Sequence, residues 1–479
     1  MTDDVPTSPT TLPPRNGPFA LRARVLTPLA SGGTRFLPDG VVEVDAAGRI
    51  AFVGEHARWA SAASARAGGD GHRPDHLVDL RPWLVLPGLV DLHAHLPQLP
   101  NAGLGAGLHL LDWLERYIYP LERTFDAPTA ARLAPAAFER MASLGTTTAV
   151  IYGAAWAPSM DEAFRAAEAH GLRLVGGRVM MDRVTYRETP AAERLDVELA
   201  ESAALCERWH GRDDGRLQYA FTPRFAVSCT ADLLRESAAL ARTTGAYWQT
   251  HLSEDRPELS EVAARFPEAR DYLDVYDRAG GLGPRAIMAH AIHLSGRELA
   301  RLVETRTRVA HCPESNLFLA SGAMRLAAYR EAGLVVGLGS DVAAGPTLSL
   351  FSVMRAGAYT HDLLRVTAEG GADRGRPAPI APLDWLTIAT LEGARALGLE
   401  DRVGTLEAGR EADLIAVDAG LTAPLPGLDA DEPDELMSRL IFRAHPDMVR
   451  AAWVRGRRLP DGRGAEIPAS QGAGAATHA

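Results

Sequence analysis

The sequence predicts an α/β fold: a (β/α)8 TIM-like barrel with a small β-sandwich domain built from both chain ends. Apolar, strand-like runs alternate with amphipathic helical segments through residues 83–399, which is typical of a parallel sheet. Eight such runs can be counted, the number that closes a barrel. They are residues 84–93, 147–152, 172–180, 218–222, 247–251, 286–290, 308–311 and 335–339.

Short strands separated by turns flank this region on both sides. At the N-terminal side they are residues 20–29, 40–44, 50–53 and 77–80, and at the C-terminal side 414–417, 448–454 and 456–459. We expect residues 18–82 and 400–465 to form one composite domain beside a barrel of residues 83–399. Residues 1–17 and 466–479 are rich in Pro, Thr, Gly and Ala without periodicity, and are predicted to be disordered tails.

Composition narrows the class of protein. A net charge of −11 without a basic run argues against a nucleic-acid partner. No apolar run is long enough to span a membrane, and the polar, proline-rich N-terminus lacks a signal-peptide core, so we expect a cytoplasmic protein. The three cysteines, Cys206, Cys229 and Cys312, are widely spaced, which predicts reduced, buried thiols rather than a disulfide framework or a thiolate zinc site.

The chain contains no lysine, and all 50 of its basic side chains are arginine. This excludes a Schiff-base lysine, the lysine of a phosphate-binding loop and a lysine carbamate that bridges two metals. An arginine-biased composition explains the number itself, but the chemical exclusions hold in either case.

The first barrel strand ends in two histidines. Since residues two apart on a strand point to the same side, His93 and His95 are expected to aim at one metal ion. Such a pair alone is weak evidence, because it is as often structural. Other predicted strand ends, however, carry His251 with Glu254, His290 and Asp341. Any one of these could cap a loop, but together they favour a catalytic zinc or similar first-row ion with an open position for water.

Several longer segments resemble the amidohydrolase superfamily, in its deaminase and chlorohydrolase branch. They are residues 87–95 (PGLVDLHAH), 251–254 (HLSE), 311–316 (HCPESN) and 339–341 (GSD). Within that branch, residues 110–115 (LLDWLE), 222–225 (TPRF) and 341–345 (DVAAG) look most like guanine deaminases. The resemblance covers residues 20–460 and implies a homodimer. The two-metal members of the superfamily require the lysine carbamate, which this chain cannot form.

The resemblance implies one Zn²⁺ per subunit, with Fe²⁺ as an alternative, held by His93, His95, His251 and Asp341. A metal-bound hydroxide would then convert guanine to xanthine and ammonia. Glu254 would shuttle protons, His290 would contact the metal-bound water, and Asp341 would accept a proton from it. Glu254 could instead be an acid in the first turn of the next helix, where the helix dipole favours it.

Four side chains are candidates for substrate binding. Arg224 presents a planar fork of N–H donors, and Gln98, which falls where the resembling family carries a substrate-binding glutamine, offers a donor and an acceptor. Phe225 and Trp113 could stack on a ring, although Trp113 could equally be a core anchor. A pterin, oxidised purine or triazine, losing an amine or chloride, remains an alternative substrate, and a catalytically silent binding protein an alternative function.

Overall fold

The structure is a computed structural model that describes residues 12–66, 77–367 and 378–462. Most of the two predicted tails, residues 1–11 and 466–479, therefore lies outside the described residues. The three cysteines are buried and form no disulfide. Within the described ranges, no helix combines the length and the apolar character needed to cross a membrane.

The described strands and helices alternate through most of the chain. The strands are β1 (Phe19–Pro28), β2 (Thr34–Val44), β3 (Ile50–Glu55), β4 (Leu77–Pro87), β5 (Leu89–His95), β6 (Thr146–Gly153), β7 (Arg173–Met180), β8 (Leu217–Pro223), β9 (Tyr247–Leu252), β10 (Ala286–His290), β11 (Arg308–His311), β12 (Val336–Leu338), β13 (Leu414–Val417), β14 (Val449–Val454) and β15 (Arg457–Arg458). The helices are α1 (His56–Arg66), α2 (Leu110–Trp113), α3 (Tyr119–Arg123), α4 (Ala127–Ser143), α5 (Ala157–His170), α6 (Arg194–Trp209), α7 (Arg212–Gly215), α8 (Ala231–Thr244), α9 (Arg256–Arg265), α10 (Tyr272–Arg278), α11 (Gly296–Thr305), α12 (Pro313–Phe318), α13 (Leu326–Glu331), α14 (Leu350–Thr367), α15 (Pro382–Thr387), α16 (Gly393–Ala396) and α17 (Pro433–Phe442). Short 3-10 turns lie at Leu96–Asn101, Ala226–Ser228 and Ala419–Thr422, and π-helical turns at Leu114–Ile118 and Ile388–Glu392.

Strands β5 to β12 form a parallel eight-stranded sheet in sequence order. Two backbone hydrogen bonds connect its first and last strands at the C-terminal end. The N–H of Asp341 donates to the carbonyl of His93 (2.7 Å), and the N–H of His95 donates to the carbonyl of Val342 (3.0 Å). The predicted (β/α)8 barrel is therefore confirmed, and its closure brings the segment after β12 against the two histidines of β5.

The predicted strand 84–93 is in fact parts of two strands. Strand β4 pairs in the small sheet, whereas β5 starts the barrel, and Gly88 lies between them. A Cβ at Gly88 would lie 2.1 Å from the hydroxyl oxygen of Thr147, so only glycine fits where the chain changes sheets. Apolar periodicity could not reveal this change, because both strands are buried on both faces.

The strands from the two chain ends form one seven-stranded sheet in the order β15-β14-β13-β4-β1-β2-β3. The ends meet where β4 and β13 pair antiparallel. Phe19 on β1 and Trp453 on β14 have ring centroids 6.0 Å apart, although these strands are three positions apart and would be about 14 Å apart in a flat sheet. The sheet therefore curls around its own core, as the predicted composite domain requires.

A buried ion-pair network connects this sheet to the barrel. Glu411 accepts from Arg173, the first residue of β7 (2.5 Å), from Arg402 (2.5 Å) and from Arg455 (3.0 Å). Burial alone would raise the pKa of Glu411, but the three guanidinium groups lower it to about 2. The network therefore stabilises the domain contact only while Glu411 is ionised.

Replacing Glu411 by Gln should lower the free energy of unfolding at pH 7 by about 2 kcal/mol, after allowance for solvent screening. The native pKa lies below the ordinary value of 4.5, so this stabilisation is complete above pH 4.5 and is lost as the pH falls toward 2. The difference between wild type and E411Q in urea unfolding curves should accordingly shrink from pH 5 to pH 3. The exposed pair Asp232–Arg235 is the control, because D232N should leave the curves unchanged. An E411Q difference that stays constant with pH would contradict the assignment.

Candidate metal centre and substrate pocket

Four histidines and an aspartate lie together at the C-terminal mouth of the barrel. His93 and His95 end β5, His251 lies near the end of β9, His290 ends β10, and Asp341 follows β12. His95 Nε2 is 3.2 Å from His251 Nε2, and His93 Nε2 is 3.1 Å from Asp341 Oδ1. All five side chains are buried. Four separate chain segments thus deliver ligand-type atoms to one point.

The protonation of His251 is fixed by its neighbour. Its Nδ1 lies 2.7 Å from the carbonyl oxygen of Arg224, so Nδ1 carries the proton and donates. The Nε2 lone pair then points at His95 Nε2. Burial, and then the neighbouring imidazoles, hold the pKa of both His95 and His251 well below the usual range. Both rings are therefore neutral, the form that binds metal ions.

Among the described residues, His95 Nδ1 has no hydrogen-bond partner, whereas His93 Nε2 and His290 Nε2 face carboxylate oxygens of Asp341 (3.1 Å) and Glu254 (3.3 Å). Ligand atoms of His93, His95 and Asp341 lie within 4.8 Å of one another, as do those of His93, His251 and His290. Burial would raise the pKa of Asp341, but the attraction and hydrogen bonding of His93 lower it to about 2, so it is an anion. Imidazole lone pairs converging on a buried carboxylate are stable when a divalent cation lies between them, so these residues fit a metal ion.

Backbone strain accompanies the site. Asp341 (φ 47°), His290 (φ 70°) and Ser253 (φ 49°) have left-handed conformations that non-glycine residues rarely adopt. The strain of Asp341 is held by its own N–H bond to His93 and by the Gly345 N–H, which donates to its carbonyl (2.6 Å). Such conformations cost about 1 kcal/mol or more each and cluster at functional sites. Here they turn the side chains inward from the strand ends.

Glu254 and His290 form a polar pair beside the cluster. Glu254 Oε2 lies 3.3 Å from His290 Nε2, and His290 Nδ1 lies 2.9 Å from the amide oxygen of Asn316. Burial, and then the nearby Asp341, raise the pKa of Glu254 well above its usual value, which favours its protonated form. Burial lowers the pKa of His290 to about 4. The alternative position of Glu254 in the first helical turn is wrong, since α9 begins at Arg256 with Asp255 as its cap.

A partly open cavity lies next to the cluster. All four predicted substrate residues line it: Gln98, Trp113, Arg224 and Phe225. His95, His251, Glu254, His290 and Asp341 line it as well. The indole N–H of Trp113 donates to the carbonyl of Leu104 (3.0 Å), which fixes the ring in the wall.

With this geometry established, comparison with known proteins is informative. Residues 84–459 match the model of the Amidohydrolase family. The chain belongs to the amidohydrolase family. A probable guanine deaminase of Deinococcus radiodurans is 38% identical over 426 residues, covering 87% of this chain and 92% of that protein. Guanine deaminase of Escherichia coli K12 is 33% identical over 410 residues, covering 85% and 87%. The solved structure of Escherichia coli guanine deaminase superimposes with a TM-score of 0.82 at 29% identity, covering 92% of this chain and 99% of that chain.

Family membership makes this amidohydrolase an enzyme of a metal-dependent, hydrolytic class, and the cluster of imidazoles and carboxylate could bind the metal. The resemblance predicted from short segments is thereby confirmed. Three residues that support the site, Asp91, Tyr152 and Glu122, were not foreseen from the sequence.

Asp91 connects the first strand of the barrel, by hydrogen bonds, to the segment that follows the last strand. Its carboxylate accepts from the N–H of His93 (3.1 Å) and from the N–H and hydroxyl of Ser340 (2.9 and 2.6 Å). Burial raises its pKa to about 6. The signal available in the sequence was a polar residue inside an otherwise apolar strand, two positions before His93.

Tyr152, near the end of β6, packs its ring against three histidines. The centroid distances are 4.7 Å to His93, 4.7 Å to His95 and 4.9 Å to His251. It limits the orientations of these imidazoles. The only sequence signal was an aromatic residue at a strand end.

Glu122 on α3 connects two predicted substrate residues. Its carboxylate accepts from Gln98 Nε2 (2.8 Å) and from Arg224 Nη1 (2.5 Å). Nothing in the local sequence marked it, because its partners are 24 and 102 residues away.

Proposed function

We propose that this amidohydrolase converts guanine to xanthine and ammonia by hydrolysis. The observation that carries the proposal is one cavity lined both by an arginine and a glutamine and by the His/Asp cluster with Glu254. The relatives described above are guanine deaminases, which favours guanine over a pterin, an oxidised purine or a triazine. A cytoplasmic location and a homodimer stay predictions from the sequence.

The metal centre we propose consists of His93, His95, His251 and Asp341 holding one Zn²⁺, with Fe²⁺ as the alternative. Three neutral imidazoles and one carboxylate are the donor set of many catalytic zinc and iron sites. Such an ion supplies a water of lowered pKa, from about 16 to about 7, and so a nucleophile at neutral pH.

We assign substrate recognition to Arg224, Gln98, Trp113 and Phe225. One nitrogen of Arg224 is engaged by Glu122, which leaves its other guanidinium N–H groups to donate to a ring carbonyl and adjacent nitrogen. Gln98 adds an amide donor and acceptor. The rings of Trp113 and Phe225 can cover the purine faces, where stacking contributes about 0.5–1.5 kcal/mol beyond area burial.

Two carboxyl groups of opposite protonation handle the protons. Glu254, whose pKa is raised by burial beside Asp341, can donate its proton to a ring nitrogen. As a carboxylate it can then take the hydroxyl proton of the added water and pass it to the departing amine, and the proton held by Asp341 restores the acid form of Glu254. Asp341, ionised, can accept a proton from the attacking water. His290, neutral and oriented by Asn316, can hold that water or Glu254 in place. Separated pKa values of this kind are how one site supplies both an acid and a base.

The test is turnover by purified protein supplied with Zn²⁺. We expect ammonia and xanthine from guanine, with a kcat/KM above that for a pterin, 8-oxoguanine or a chlorotriazine. Ammonia is measured by a coupled assay and xanthine by its absorbance. No release from guanine by metal-loaded protein, or faster turnover of another ring, would overturn the proposed substrate.

A further inference from the structure

The contacts of Glu122 assign it a task beyond holding the fold. It is completely buried on α3, yet it does not line the cavity itself. Each carboxylate oxygen serves a different partner: Oε1 accepts from Gln98, which follows β5, and Oε2 accepts from Arg224, which follows β8. Gln98 and Arg224, the two side chains proposed to recognise the purine edge, thus share one anion.

The first consequence is a fixed orientation for the Gln98 amide. Its Nε2 must face Glu122, because a carboxylate accepts and cannot donate, and its Oε1 then lies 3.5 Å from the N–H of Ala343. Without an acceptor at Glu122 the amide could rotate by 180° at little cost. A purine edge has a defined order of donors and acceptors, so a rotated amide would oppose it.

The second consequence concerns the charge of Arg224. Arg224 is buried, and the Glu122 carboxylate raises its pKa against the effect of burial, so the guanidinium is always charged and always paired. The other titratable groups facing Arg224 are Tyr119, whose ring lies 5.3 Å from its carbon Cζ, together with Tyr186, Tyr152, His95 and Glu254. Burial raises the pKa of Tyr119 and Tyr186, so neither adds a charge. Burial raises the pKa of Tyr152 as well, so it adds no charge. The group formed by Gln98, Arg224 and Glu122 is therefore neutral overall.

We infer that Glu122 is a positioning and specificity residue, which orients Gln98 and neutralises Arg224 so that the pocket takes a neutral purine and releases the more acidic product. The inference rests on the proposed function. Xanthine loses a proton more readily than guanine, and an unpaired buried arginine would hold its anion. The paired arginine keeps its directional donors without that attraction.

The test compares E122Q with wild type. A glutamine at this position can accept through one oxygen only, and its NH₂ group would face a second donor, so one of the two contacts must be lost. We expect the KM for guanine to rise about 10- to 100-fold while kcat changes by no more than a few-fold. We also expect the ratio of the xanthine inhibition constant at alkaline pH to that at neutral pH to fall about tenfold relative to wild type. The metal centre titrates in the same way in both proteins, so its effect on xanthine binding cancels when the two ratios are compared.

Three further variants separate the role from simple folding. E122D keeps the charge and should keep the wild-type xanthine ratio. The double variant E122Q/R224M removes both charges, so the xanthine ratio should return to the wild-type value although the KM stays high. The pair Glu198–Arg178 is as buried, with its charged atoms 2.9 Å apart, but it does not line the cavity. E198Q should therefore lower thermal stability and leave both readouts unchanged.

The outcomes are distinguishable. Wild type that deaminates guanine, with an E122Q variant whose KM and xanthine ratio are unchanged, would overturn this inference alone. If E122Q does not fold, a double variant whose xanthine ratio differs from that of wild type would overturn it. Wild type that does not deaminate guanine would overturn the proposed function and this inference with it.

Discussion

Replacing Glu254 by Gln is expected to lower kcat for guanine about 10²- to 10⁴-fold, the range for a lost general acid and base. The substitution keeps the shape of the side chain but removes the proton that the carboxyl carries at neutral pH. Because Glu254 is not among the four proposed ligands, the metal content should not change. Steady-state kinetics and elemental analysis of the same preparations measure the two quantities.

Glu314 provides a matched control. It is a half-buried acid near the barrel mouth, desolvation raises its pKa to about 7, and it does not line the cavity. E314Q should leave kcat within a few-fold of wild type. An E254Q enzyme as fast as E314Q would remove Glu254 from the mechanism, and E254Q protein without metal would instead make Glu254 a ligand.

Removal of the metal should abolish deamination entirely and lower the temperature of unfolding. Without a cation, the facing nitrogens of His95 and His251 are buried with no compensating partner. Dialysis against a chelator should reduce the activity to background, and one equivalent of Zn²⁺ per chain should restore both the activity and the thermal stability. Calorimetry and the ammonia assay follow the two effects.

The variant H95A gives the same prediction without a chelator. It should bind metal weakly and show no activity at Zn²⁺ concentrations that fully activate wild type. His210 lies outside the cluster, so H210A should behave as wild type. Activity that survives complete removal of metal from wild type would contradict the proposed centre.

Much of the barrel could be predicted because its strands differ from their surroundings locally. The strands at Ala286–His290, Arg308–His311 and Leu414–Val417 have the predicted limits, and most others differ by one or two residues. The failure at residues 84–93 has a physical cause: two consecutive strands buried on both faces look like one. Only the backbone partners distinguish the two sheets. Gly88 bonds to Asp413, next to the small sheet, whereas Leu89 pairs with Thr146 in the barrel.

The sequence by itself determined the (β/α)8 barrel, the composite small domain and the family, because strand periodicity and short motifs such as HxH are local properties. It also placed histidines and Asp341 at strand ends, where a parallel barrel gathers them. Only the tertiary structure decided how those groups act. The buried carboxylates Asp91 and Glu122 take their charge, their partners and their effect from segments far away in the chain, and hydrogen bonding and desolvation depend on distance in space.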